Sequence, residues 1–138
     1  MNYYAEGGQT MAATTREMPA SQIIMNDQFS QEDGSEQVIQ SIMGHVEKGD
    51  GLLLQKNNTV LFLLLIAPKT VEVHLYTVDA PLPLASAVRY FHTELVRSGI
   101  SKVYGTTPRT PQIVDLMKAV GIQILPSDNP EYSWMANV

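Results

Sequence analysis

Residues 51–78 carry three apolar, β-prone segments in succession, GLLLQ (51–55), VLFLLLIA (60–67) and VEVHLYTV (71–78), parted only by KNNT and PKT. Links this short join antiparallel neighbours, because a parallel return needs a crossover of about a dozen residues or more. The spacing predicts a three-stranded meander. Its longest apolar run falls far below the roughly 20 residues of a membrane-spanning helix, so it reads as a buried strand. In the third segment Val71, Val73 and Leu75 alternate with Glu72, His74 and Tyr76. One face is therefore core, and the other is left for chemistry or binding.

Helical patterns flank the meander. After Ser35, the residues Val38, Ile39, Ile42, Met43 and Val46 form an i, i+3, i+4 stripe that Gly49 ends. Beyond DAPLP, residues Leu84, Val88, Phe91 and Leu95 mark a second helix that stops at Ser98 and Gly99. KVYG (102–105) reads as a short strand. Thr110 is placed to N-cap a third helix with Pro111 at its first position, a buried stripe of Ile113, Leu116, Met117 and Val120, and Gly121 as its exit. IQIL (122–125) and EYSWMANV (131–138) predict a closing strand pair across PSDN. The expected architecture is α/β (α+β), a mixed sheet flanked by helices over residues 21–138. SQIIM (21–25) is expected to add a short strand. Residues 1–20 have no periodicity and are expected to form an extended arm, with Tyr3 and Tyr4 as anchors on a partner.

A chain of 138 residues suits one core. Fourteen acidic against nine basic residues give a net charge of -5, which disfavours nucleic acid and anionic membrane as partners. There is no cysteine, so thiolate chemistry and disulfides are excluded, and the N-terminus lacks the layout of a secretory signal. No metal site is expected. His92 and Glu94 stand at i and i+2 on a helix and point apart, and His45 is isolated.

The order helix, meander, helix, strand, helix, strand pair resembles the GNAT (GCN5-related N-acetyltransferase) superfamily. The likeness is sharpest where family members often carry Asn, a helix, Leu-Tyr, three residues and Gly-Phe. This chain has Thr110, Leu116-Met117, Lys118-Ala119-Val120 and Gly121-Ile122 in that frame. The resemblance implies acetyl transfer from coenzyme A to an amine. It also implies a Gly-rich pyrophosphate cradle at the helix after the meander, and a tyrosine as proton donor. The cradle position reads VDAPLPLASA (78–87), without glycine or a basic residue; Pro81 and Pro83 each lack an N–H and Asp79 adds repulsion, so coenzyme A is expected to bind weakly or not at all. Met117 stands where the tyrosine is usual, and a thioether donates no proton. Candidate cofactor contacts are Tyr76, Val78 and Leu84.

Candidate catalytic residues are Glu72 as base, His74 as base or relay, and Tyr132 or Tyr104 as a replacement acid. Each also has a plain structural role: solvated carboxylate, surface histidine, sheet-edge packing. Trp134 alternates onto the same face as Tyr132 and reads equally as an interface anchor or as core. A GNAT-like chain with an altered cofactor loop resembles small virion and assembly proteins of short-tailed, T7-like bacteriophages. That resemblance implies a non-catalytic protein binding phage or host proteins, in a virion or host cytoplasm, in several copies or as a homo-oligomer, with no cofactor. The alternatives are an acetyl-CoA-dependent N-acetyltransferase with an atypical loop, and a phage inhibitor of a host protein.

Overall fold

A computed structural model describes residues 18–28, 35–106 and 111–138. The described elements are α1 (Ala20–Met25), α2 (Ser35–Lys48), β1 (Gly51–Lys56), β2 (Thr59–Ala67), β3 (Thr70–Thr77), α3 (Pro81–Arg97), β4 (Lys102–Gly105), α4 (Pro111–Ala119), β5 (Leu125–Pro126) and β6 (Trp134–Asn137). They build one six-stranded sheet in the order β1-β2-β3-β4-β6-β5. The meander is as expected, with Leu63 opposite both Leu52 and Val73. β3 and β4 are parallel, joined by the α3 crossover, and β6 lies antiparallel between β4 and β5.

The two sheet faces bury different cores. One face packs Leu61, Val71, Val73 and Val103 against Leu84, Val88, Phe91 and Leu95 of α3, with Leu116 and Met117 of α4 alongside. The other sets Phe62 beneath Ile24 and Ile42, with Val38 and Ile39 of α2 around them. The helical stripes read from the sequence thus face the sheet as their 3.6-residue period requires, save Met43 of α2, which is 49% exposed, and Ile113, whose side chain lies outside those described. Gly121 has φ +87°, and the Ile122 N–H bonds the Met117 carbonyl at 2.8 Å; a side chain at that left-handed position would strain this helix exit. Lys69 also has positive φ, 58°, in the β2–β3 turn. That turn aims the Lys69 carbonyl at the N–H groups of Ser101 (2.9 Å) and Lys102 (3.2 Å), which anchors the start of β4.

Four expectations are corrected. Residues 20–25 are a helix rather than a strand, and Ile23 (0% exposed) and Ile24 are its buried side chains. A six-residue apolar segment is ambiguous by pattern alone, and here α2 and the sheet settle it. α3 begins at Pro81 rather than near Leu84, because proline is acceptable at a helix start where no N–H is required. The closing pair is shorter than expected, with 122–124 and 131–133 outside strands. Met18, assigned to the arm, is already bonded to the domain: its N–H donates to Asn58 Oδ1 (2.8 Å), and its carbonyl accepts from Gln55 Nε2 (2.7 Å). Tyr3, Tyr4 and Thr110 lie outside the described residues.

A buried polar cluster ties β2, β3 and the α3 entry together. Thr59 and Thr77 are fully buried and Asp79 is 8% exposed. Asp79 Oδ2 accepts from the Asn58 N–H (2.8 Å) and from the Thr59 hydroxyl (2.7 Å), while the two threonine hydroxyls are 2.6 Å apart. Asp79→Ala would orphan both donors, at a cost of about 1–3 kcal/mol. We expect a fall in melting temperature of several degrees and a smaller fall for Asp79→Asn, which keeps an acceptor oxygen. Equal melting of Asp79→Ala and wild type would show the cluster to be dispensable.

Candidate active site

β3 supplies the centre of the site. Its even-numbered residues face α2, and its register sets Glu72 opposite Tyr104 and His74 opposite Phe62. Glu72 Oε2 lies 2.5 Å from His74 Nε2, and Tyr132 donates its hydroxyl to Glu72 Oε1 at 2.7 Å. The Phe62 ring stacks on His74 with centroids 6.1 Å apart. Tyr132 arrives from the turn before β6, where its N–H bonds the Asn129 carbonyl at 3.1 Å. Its ring lies against Tyr104, centroids 5.0 Å apart, and the Tyr104 hydroxyl donates to Asp128 Oδ1 at 2.6 Å.

The side chains of Glu72 and His74 are 20% and 26% exposed, partly dry yet reachable from solvent. Burial acts to raise the Glu72 pKa, but the hydrogen bonds from His74 and Tyr132 outweigh it, and the carboxyl lies below its ordinary value. Burial and the bond to Glu72 push Tyr132 up to about 12. The bond to Asp128 raises Tyr104 as well. Both phenols hold their protons tightly and make poor acids for a departing thiolate. Their geometry suits positioning: Tyr132 holds Glu72, and Tyr104 supports Tyr132. In an alkaline absorbance titration Tyr132 should stay protonated as pH rises past the ordinary value of 10 and ionise only near 12, and Tyr132→Phe should abolish that late step. Its raised pKa means the stabilisation from this bond is intact below pH 10 and lost toward 12.

Beside this cluster the sheet is open among the described residues. β3 runs to Thr77, but its ladder with β4 ends at Val73 opposite Gly105. Past the opening, the Thr77 carbonyl accepts from the Gln28 N–H (2.9 Å) and the Thr77 N–H donates to Asp27 Oδ1 (2.8 Å). Thr77 thus turns its backbone groups away from β2. By the period of two, Leu75 turns its N–H and carbonyl the same way, into the opening. Behind it, between the sheet and helices α3 and α4, lies an apolar cavity of ≈ 80 Å³ whose wall includes Leu75, Phe91, His92, Met117 and Trp134.

No protein-family model matches the sequence, and no curated protein matches it. Solved structures match the fold. An IAA acetyltransferase from Bacillus cereus is 14% identical, with 88% of this chain and 93% of that one covered at a TM-score of 0.50. A Bacillus subtilis acetyltransferase in complex with CoA is 12% identical, with 89% and 92% covered at 0.53. A probable GNAT-family acetyltransferase from Chromobacterium violaceum is 10% identical, with 86% and 76% covered at 0.52.

The chain has the GNAT fold. The expectation of no cofactor is overturned by the Bacillus subtilis neighbour, in which the GNAT fold carries CoA. That expectation rested on one loop, which is only part of the surface a long, jointed ligand touches. The opening beside Leu75 and the cavity behind it fit the thioester end of an acyl-CoA, an extended amide chain with an apolar tip. The diphosphate end has less to hold it. Among the first three positions of α3 only Leu82 carries an N–H, since Pro81 and Pro83 have none.

The structure brings Glu72, His74 and Tyr132 together, with Tyr104 adjoining. Of the expected cofactor contacts, Val78 and Leu84 have spent their N–H groups on the carbonyls of Asn58 (3.1 Å) and Ala80 (3.0 Å). Tyr76 pairs with Val60 and packs under α2, so none of the three faces the opening. Asp79, expected to repel phosphate from the loop, turns inward to Asn58 and Thr59. Trp134 lies in the core at 5% exposure rather than on an interface surface. It was expected on the same face as Tyr132, but β6 begins only at Trp134, and Ser133 bonds the Gly105 carbonyl through its N–H (2.8 Å), which breaks the alternation. His45 is paired with Asp50 at 3.1 Å. Leu75, Gly105 and Asp128 were missed. A glycine ending a strand, with a lone tryptophan further on, was the one available signal.

Proposed function

We propose that the protein is an acyltransferase that moves a short acyl group from acyl-CoA to an amine. The carrying observation is the hydrogen-bonded Glu72–His74 pair on the lip of an opening in the sheet that leads to an apolar cavity. Acyl-CoA supplies a thioester activated toward nucleophiles. In the transfer a C–N bond forms, a C–S bond breaks and the amine nitrogen loses a proton. The Glu72–His74 pair is the proton acceptor: Glu72 holds the imidazole by Nε2 and leaves Nδ1 to face an incoming amine. Tyr132 fixes the other carboxylate oxygen, so Glu72 cannot rotate out of line. With the diphosphate weakly anchored, binding rests on Leu75 and the cavity wall.

The neighbours support this reading, since two are acetyltransferases and the third is a probable acetyltransferase of the GNAT family. The virion-assembly and host-inhibitor readings have no comparable support. Their contact residues were Tyr3 and Tyr4, outside the described residues, and Trp134, which is buried. The test is calorimetric titration with acetyl-CoA followed by a thiol-release assay over a panel of primary amines. Saturable binding with amine-dependent release is expected. Neither binding nor release at millimolar donor would overturn the proposal.

A further inference from the structure

Two side chains in the cavity wall can donate a hydrogen bond, His92 from α3 and Trp134 from β6; leucine, valine, isoleucine, phenylalanine and methionine make up the rest. His92 is half-buried and has water within reach. Trp134 is 5% exposed, and its Nε1–H has no acceptor among the described residues. A buried donor without a partner is rare and destabilising, so its retention calls for an explanation. The ring edge that bears Nε1 lies over Gly105, close enough that a Cβ there would overlap it. Gly105 is also the last β4 residue paired with β3. The orphan donor therefore sits where the two strands part, at the join between cavity and opening.

A buried, unpartnered donor among largely hydrocarbon walls selects an acceptor oxygen flanked by apolar atoms. Water gains little there, because His92 and Trp134 are the only polar side chains of the wall and a buried water makes about three hydrogen bonds. A charged ligand would be stripped of its hydration with nothing in return. A carbonyl next to a short alkyl chain meets both conditions, and ≈ 80 Å³ holds about three carbon-sized groups, at roughly the 30 Å³ share of one water each.

We propose that Trp134 Nε1–H is the hydrogen-bond donor to the thioester carbonyl of a short-chain acyl donor. It orients that carbonyl at the opening, and stabilises the negative charge the oxygen gains as the amine adds to the carbon. The assignment rests on the acyltransferase reading and adds to it the residue that recognises the acyl group. It also gives Gly105 a role, since any larger residue would push the indole off the strand end.

The chain has one tryptophan, so its ¹H–¹⁵N spectrum contains one indole signal that reports this N–H directly. Acetyl-CoA and S-ethyl-CoA, a thioether without the carbonyl, are titrated into uniformly labelled protein, and the same ligands are measured by calorimetry against Trp134→Phe. The indole proton should move downfield with acetyl-CoA and stay in place with S-ethyl-CoA. Trp134→Phe should weaken acetyl-CoA about five-fold, the worth of one neutral hydrogen bond, and leave S-ethyl-CoA unchanged. If both ligands bind but move the indole signal alike, or if Trp134→Phe weakens both alike, the indole is packing only and the donor assignment fails while the acyltransferase reading stands. Binding of neither ligand overturns both. Should Trp134→Phe not fold, the wild-type spectra decide alone.

Discussion

Glu72→Gln is expected to lower kcat/KM for acyl transfer by about 10²- to 10⁴-fold, the usual range for loss of general-base catalysis, because His74 loses the carboxylate that orients its imidazole, with little change in donor binding. Glutamine keeps the shape and can still accept from Tyr132, but it cannot hold His74 as a charged partner or take up a proton. The split matters: a loss in kcat with an unchanged donor Kd places Glu72 in the chemistry, whereas a matching loss in donor affinity would make it part of the binding surface. Tyr132→Phe removes a positioning bond and should cost much less, about five-fold. The pH dependence follows from the lowered Glu72 pKa. Stabilisation from its bonds is present above the ordinary value of 4.5 and is lost as pH falls through the lower folded value. Stability of wild type should therefore decline in acid more steeply than that of Glu72→Gln. Parallel acid declines, measured by melting temperature, would remove the linkage.

Gly105→Ala should be the most damaging single methyl group in the described fold. A Cβ at Gly105 overlaps the Nε1, Cε2 and Cζ2 atoms of Trp134, so the indole must leave the strand end and shift toward the cavity it lines. Overpacking of this kind costs about 1–3 kcal/mol, and the rigid ring places Gly105→Ala at the upper end. The melting temperature should drop on the order of 10 °C. Pairing the change with Trp134→Leu, which vacates the space, should recover part of the loss, although Trp134→Leu alone destabilises by leaving a void. A double mutant no better than the sum of its parts would show that the methyl group strains β4 itself and not the indole.

Period and punctuation in the chain determined most of the architecture. The meander follows from three apolar segments on short turns, and the α2, α3 and α4 stripes follow from their 3.6-residue spacing and from Gly49, Gly99 and Gly121, all of which have positive φ. These are local properties, set by sterics within a few residues, so they are legible without a partner. The same period put Glu72 and His74 on one face of β3 before any contact was known.

The tertiary structure decided what those residues meet. Tyr132 lies 60 positions from Glu72, and Asp128 lies 24 from Tyr104; no periodicity reaches so far. The segment 21–25 became a helix because α2 and the sheet offered Ile23 and Ile24 a helical seat. The loop at 78–87 looked hostile to phosphate by composition, yet Asp79 turns inward to Thr59, and β3 parts from β4 just before that loop, beside Leu75. β3 and β4 part at Gly105, and Trp134 crosses over it there, a contact between residues 29 apart in the chain. A sequence records which side chains each strand carries. Which of them face an opening is set only when strands from distant parts of the chain pair and then stop pairing.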